Sequence, residues 1–412
     1  MEIEWSWLLL GLPIAFVLGW LASRMDWRQM RVAQRHSPRN YFQGLTYLLN
    51  EQQDKAIDVF VQAVQSDPDT VDLHFALGSL FRRRGEYLRA VRVHEHLLAR
   101  ADVQAADRVR AQWELAQDFL KAGIYDRAEQ ALLPLQNSAR RQQAQLALLH
   151  VYERMHDWPK ALELAERITA EEAASGEPRA VRTAGRQMHY WCEQADEALQ
   201  RGDFARAAQL LEQAQRSDAQ SLRPAIEQVR LALRQGQERQ ALEQVLALLE
   251  TRSQAAPDVL PLLAGLLGGH FERLKPERDL LGRMHALLRT HYEQYAQNPQ
   301  YGSLDVLLAL VALEHCLEMP RADLWYAEHL RRRPSLVAAA RWVQSQCDDA
   351  PLRASLDVAQ RPWLRYRCMQ CGFEASRYFW QCPGCQSWES FPPQRVEELA
   401  GALPGAQRSD RG

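Results

Sequence analysis

The sequence predicts an all-α protein with three parts. These are an N-terminal transmembrane helix, a superhelical array of paired helices, and a small C-terminal metal module. Three observations carry this reading: one long uncharged segment near the start, a phrase that recurs about every 34 residues, and four cysteines in two C-x2-C pairs. The expected boundaries are 1–23 for the anchor, 24–36 for a basic juxtamembrane stretch, 37–360 for the array, 361–392 for the metal module and 393–412 for a disordered tail.

Trp5 to Ala22 reads WSWLLLGLPIAFVLGWLA, without a charge. As a helix it spans about 27 Å, close to the hydrocarbon thickness of a bilayer. The acidic start (Glu2, Glu4) and the absence of a small-x-small site after the run argue against a cleaved signal peptide. Arg24, Arg28, Arg31 and Arg35 follow at once, which by the positive-inside rule makes that end cytoplasmic. The expectation is a single-pass membrane protein with its N-terminus outside and its bulk cytoplasmic.

Gly44, Tyr47, Ala56, Phe60, Ala63 and Pro68 stand at tetratricopeptide (TPR) spacing, and Gly78, Phe81 and Ala90 repeat the first three kinds of position. The phrases RGEYLRA, AGIYDRA, HDWPKA, RGDFARA and GQERQA end at Ala90, Ala128, Ala161, Ala207 and Ala241. The small residue marks where two helices cross closely, and a turn former precedes it. Starting at Ala56, the intervals are 34, 38, 33, 46 and 34 residues; the long one contains AEEAASGEPRA, which reads as an extended helix end plus loop. About six units are clear, and 255–300 is helical in pattern without a legible phase. Such arrays present an extended concave surface to protein partners. Its expected lining residues are Phe42, Leu45, Phe75, Arg82, Arg110 and Trp113.

Cys368-x2-Cys371 and Cys382-x2-Cys385 have the spacing by which two knuckles close a tetrahedral sulfur shell around one ion. Iron and zinc both suit four thiolates, and spacing does not separate them. A closed shell leaves no open coordination position, so the site is structural or electron-transferring, not hydrolytic. Gly372 and Gly384 suit the tight turns, and Trp380 and Trp388 are expected to pack nearby. Cys192, Cys316 and Cys347 lie in helical stretches and read as packing residues.

The sequence has no phosphate loop, no GxSxG elbow and no HExxH helix, so an enzyme is not expected. His94-Glu95-His96 lacks the spacing that puts two histidines on one helix face. Fifty basic and 52 acidic residues leave no general field for nucleic acid. Lysine occurs only at positions 55, 121, 160 and 275, so nearly all positive charge is arginine.

Anchor, repeats and knuckle pair together resemble the lipopolysaccharide assembly protein B family over nearly the full chain. The most specific segments are 41–60, 77–94, 123–129 and 365–388. The resemblance implies a non-enzymatic, rubredoxin-like metal-binding regulator of lipopolysaccharide synthesis at the Gram-negative inner membrane. It implies partnership with the membrane protease FtsH, with the deacetylase that commits precursor to lipid A, and with other lipopolysaccharide assembly or signalling membrane proteins. The family's ligands map onto Cys368, Cys371, Cys382 and Cys385, with one iron or zinc ion as cofactor. The cysteine segment alone also resembles the zinc knuckle of the DNA-repair ATPase RadA, but that enzyme's phosphate loop is missing here. A scaffold that gathers lipopolysaccharide enzymes without controlling their turnover, and an electron carrier, are the other functions the pattern allows.

Overall fold

The computed structural model describes residues 52–66, 70–175, 184–252, 256–295, 304–319 and 324–401, together with Trp20, Gln43, Gly44, Thr46, Tyr47 and Asn50. The expected anchor apart from Trp20, together with Phe42 and Leu45, lies outside these residues. Among the described residues no helix is long and apolar enough to cross a membrane. The chain divides into two compact units, 1–184 and 185–412. The 46-residue interval between Ala161 and Ala207 spans that division.

Among the described residues, the first unit contains the helices α1 (Gln53–Ser66), α2 (Val71–Arg83), α3 (Tyr87–Ala99), α4 (Ala105–Ala122), α5 (Tyr125–Leu132), α6 (Arg141–Met155) and α7 (Trp158–Ser175), with a 3-10 turn (Leu133–Asn137) after α5. The second contains α8 (Ala184–Gln200), α9 (Phe204–Ser217), α10 (Arg223–Arg234), α11 (Glu238–Thr251), α12 (Ala256–Leu267), α13 (Arg278–Tyr295), α14 (Leu304–Cys316), α15 (Leu324–Arg332), α16 (Leu336–Gln346) and α17 (Ala350–Gln360). A two-residue pair of antiparallel strands, β1 (Tyr366–Arg367) and β2 (Glu374–Ala375), and a last helix α18 (Val396–Gly401) complete it.

The recurring alanines do what their spacing requires. Ala56, Ala90, Ala128, Ala161, Ala207 and Ala241 are all essentially inaccessible. Five residues before the alanine, Gly85, Gly123, Gly202 and Gly236 take left-handed backbone with φ between 71° and 79°. That conformation ends one helix and turns the chain into the next, and glycine adopts it without strain. His156 holds the same position at φ 57°, so one turn of the series carries a side chain where its equivalents have none.

Close approach explains the other glycines of the repeat. A Cβ on Gly44 would stand 2.7 Å from the Phe60 ring, and one on Gly78 would stand 2.5 Å from the His94 ring. His94 lies 34 residues after Phe60 and takes its place in the packing. It is fully buried, and its Nδ1 lies 2.6 Å from Asp118 Oδ2. His94 is therefore a packed and paired repeat residue, not half of a metal pair.

The region 255–300 resisted phasing because its pair is built differently. A 3-10 turn (Phe271–Leu274) leads into its second helix in place of the left-handed residue of the other turns, and buried Leu281 lies 40 residues after Ala241. The segment 393–412, expected to be disordered, is folded at least to residue 401. Arg395 and the carboxylates of α18 bind other parts of the second unit.

Candidate metal centre

The four cysteines converge: their Sγ atoms all lie within 4.8 Å of one another. Cys368–Cys385 and Cys371–Cys382 are separated by 3.7 and 3.6 Å. Tetrahedral ligation at a metal–sulfur distance near 2.3 Å requires sulfurs about 3.8 Å apart. The donor set therefore fits one ion held by four thiolates, which is what two knuckles of this spacing predict.

The two knuckles share one backbone plan. In the first, Gly372 N–H donates to Cys368 O at 3.0 Å; in the second, Gln386 N–H donates to Cys382 O at 2.8 Å. Both closing residues are left-handed, Gly372 at φ 77° and Gln386 at φ 60°. Gly384 was expected to serve such a turn, but its φ is not positive; a Cβ there would lie 3.4 Å from Cys371 Sγ. Its role is to let the backbone pass beside a ligand.

The sulfurs differ in surroundings. Cys368 and Cys382 are buried, whereas Cys371 and Cys385 are exposed. Burial disfavours the Cys368 thiolate, but hydrogen bonding with Ser390 and with the Cys371 and Gln370 amides outweighs it and holds the thiol at about 6. Burial pushes Cys382 up to about 12 in the ion's absence. A bound cation would reverse that preference, because ligation requires the thiolate. Cys192 is pushed up to about 12 by burial, in keeping with an inert packing thiol.

The module is fastened to the first helices of successive pairs within its own unit. Trp388 stacks on His189 of α8 with centroids 4.4 Å apart. Trp380 Nε1–H donates to Glu227 Oε1 of α10 at 2.8 Å. Between the two indoles lies Arg223, its guanidinium carbon 5.3 Å from the Trp380 ring and 5.6 Å from the Trp388 ring. Arg223 is buried and donates to Glu193 at 2.6 Å and to His189 Nδ1 at 2.9 Å. Burial, with Arg223 adjacent, drives the His189 pKa down to about 2, so the ring is neutral and can accept that bond.

A second fastening lies at the other end of the module. Arg395 grips Asp305 of α14 through Nε and Nη2 at 2.8 and 2.9 Å, and Tyr366 O–H donates to the same carboxylate at 3.0 Å. The Arg395 guanidinium also lies 3.9 Å over the Tyr366 ring. From α18, Glu398 accepts the Leu304 N–H that opens α14, and Glu397 accepts Ser335 Oγ–H and the Leu336 and Val337 N–H groups that open α16. Each carboxylate satisfies donors that a helix start leaves unpaired. Trp380 and Trp388 were anticipated near the ion. Arg223, Glu227, His189, Asp305 and Arg395 were not, because partners as much as 153 residues apart leave no spacing signal.

The expected groove residues fare unevenly. Phe75 is 4% exposed and packs with Leu97 and Ala111, with the Arg110 guanidinium 4.0 Å over its ring. It is a core residue, and the expectation that it lines a free surface is corrected. Arg82 is committed to Glu114 and to buried Asp118 at 2.5 and 2.7 Å. Arg110 pairs with exposed Asp72 at 3.2 Å, and half-buried Trp113 has Arg140 5.6 Å from its ring centre.

Comparison with known proteins agrees with this layout. The sequence profile of the rubredoxin metal binding domain matches residues 366–393, and that of the tetratricopeptide repeat matches residues 41–94. The chain is 28% identical to lipopolysaccharide assembly protein B of Escherichia coli (strain K12), covering 94% of this chain and 98% of the relative. It is 27% identical to the protein of that name from Haemophilus influenzae, covering 95% and 98%. Among solved structures, Naa15/Naa10 bound to HypK-THB gives a TM-score of 0.39 at 15% identity, covering 79% of this chain and 58% of that one.

Proposed function

We propose that this chain is a membrane-tethered, non-enzymatic adaptor that limits lipopolysaccharide synthesis. In this reading it brings the UDP-acyl-GlcNAc deacetylase of the lipid A pathway to the FtsH protease for degradation. The observation that carries it is alignment along almost the whole chain with relatives named for lipopolysaccharide assembly. Two units built of paired helices supply interaction surface, and the four-thiolate module has no open position for chemistry. The uncharged run at 5–22 and the arginines after it would place the adaptor at the inner membrane, its bulk cytoplasmic. Tethering raises the effective concentration of partners that share that membrane without a tight contact.

Within the second unit the module covers the starts of α8, α10, α14 and α16. The first helices of the other unit are therefore the better partner surface, and half-exposed Arg110 and Trp113 on α4 are its candidate contacts. When bound, the ion would cross-link the two knuckles; the residues around it hold the module against the helices. The test is the half-life of the deacetylase after depletion of this protein. A several-fold longer half-life supports the adaptor. An unchanged half-life with lost co-purification of lipopolysaccharide enzymes would favour the scaffold.

A further inference from the structure

We infer that Cys371 and Cys385 form an oxidative modification site, and that peroxide converts the four-thiolate cluster into cross-knuckle disulfides. The argument starts from exposure. Each knuckle contributes one buried sulfur, Cys368 or Cys382, and one exposed sulfur, Cys371 or Cys385. An attacking oxidant meets only the exposed pair, which also lies in an open apolar setting: Met369 is 66% and Phe373 40% exposed.

Proximity then fixes the partner. The exposed Cys385 lies 3.7 Å from buried Cys368, and the exposed Cys371 lies 3.6 Å from buried Cys382. Both pairs join one knuckle to the other. In the first step the Cys385 or Cys371 sulfur attacks peroxide: an S–O bond forms, the O–O bond breaks, and the departing hydroxide takes a proton to become water. In the second, the buried thiolate facing that sulfenic acid attacks its sulfur; an S–S bond forms and hydroxide again leaves as water after protonation. Two thiolates lose two electrons in all, and one peroxide becomes two waters.

The consequence reaches beyond the sulfurs. Each such event removes two of four ligands, one from each knuckle, and the remaining pair cannot hold the ion tightly. Cys382 and Cys385 sit on a hairpin whose flanks carry Trp380 and Trp388, tied together by the Glu389 N–H donating to Trp380 O at 2.7 Å. These are the two indoles that enclose Arg223. Oxidation at the exposed sulfurs therefore loosens the fastening on α8 and α10, and reduction with metal restores it.

The experiment uses the full-length, zinc-loaded chain, so that the metal itself has no redox change. Hydrogen peroxide is added in increments, released zinc is counted with a chromogenic chelator, and linkages are mapped by non-reducing peptide mass spectrometry. In parallel, brief alkylation with N-ethylmaleimide reports which thiols react first. The expected result is loss of one equivalent of zinc, with Cys368–Cys385 or Cys371–Cys382 disulfides that a thiol reductant reverses. Alkylation should appear at Cys371 and Cys385 before Cys368 and Cys382. Disulfides within a knuckle, zinc retained under excess peroxide, or first alkylation at a buried sulfur would each overturn the inference. None of these readouts involves a partner, so their outcome is separate from that of the adaptor proposal.

Discussion

The helix pairs and the metal module are folded by opposite strategies within one chain. The pairs that turn at Gly85, Gly123, His156, Gly202 and Gly236 are held by small residues at the crossing and a left-handed turn five residues earlier, all within a few dozen positions. The module has a small core around Tyr366, Cys368, Cys382 and Phe391, and relies on sulfur ligands and distant polar partners. One strategy adds stability in increments along the sequence. The other concentrates it in a few groups whose loss is not compensated nearby.

The sharpest way to break this contrast is Cys382→Ser, which removes a fully buried ligand. Metal content should fall from one equivalent to near zero and the Trp380–Trp388 hairpin should detach, while far-ultraviolet circular dichroism stays helical. Metal analysis and tryptophan fluorescence on purified protein check it. Retention of one equivalent would disprove the four-thiolate assignment.

Asp305→Ala should come next. It leaves Arg395 and Tyr366 without their shared carboxylate, and stranding a largely buried guanidinium typically costs about 3–5 kcal/mol. Denaturant unfolding should show that loss in the second unit with metal still bound. A loss below about 1 kcal/mol would mean that solvent replaces Asp305 and that the module end is not fastened there.

A smaller effect follows from His189. Its pKa is 6.5 in the unfolded chain and about 2 when folded, so the folded ring stays neutral. The stabilisation is fully present above 6.5 and is lost as pH falls from 6.5 toward 2. Between pH 7 and pH 5 the loss is about 2 kcal/mol. His189→Gln should be less stable at pH 7 yet flatter across that interval, measured by urea unfolding. Parallel pH profiles for the two proteins would place the acid sensitivity elsewhere.

The smallest expected change sharpens the repeat side. His156→Gly relieves a left-handed non-glycine residue and should stabilise the first unit by up to about 1 kcal/mol. A thermal melt checks the sign. Destabilisation would show that the His156 ring, 5.2 Å from that of buried Trp158, contributes more than the backbone strain costs.

What could be read in advance follows the same division. Ala90, Ala128 and the four cysteines were legible because their constraints are local: a fixed spacing forces a small side chain or a converging sulfur. Phe75 was misassigned because repeat phase says which side of a helix faces the groove, not whether a neighbour such as Arg110 closes over it. The 255–300 pair escaped because Leu281 and a 3-10 turn replaced the alanine and glycine that mark the others. The docking residues left no trace at all. Arg223 and Asp305 read as ordinary helix charges until the fold brings Trp380 and Arg395 to them.

Glu397 and Glu398 set a schedule for biosynthesis. The first residue of α14 is capped by a side chain 94 positions later, and the start of α16 by one about 60 positions later. At ribosomal rates near 5–20 residues per second, Leu304 waits roughly 5–20 s for its partner to be made. Throughout that interval Asp305 is without Arg395 and the two helix starts lack their glutamate caps. A chain cut short before Arg395 therefore keeps the residues of its helix pairs but lacks these closing contacts.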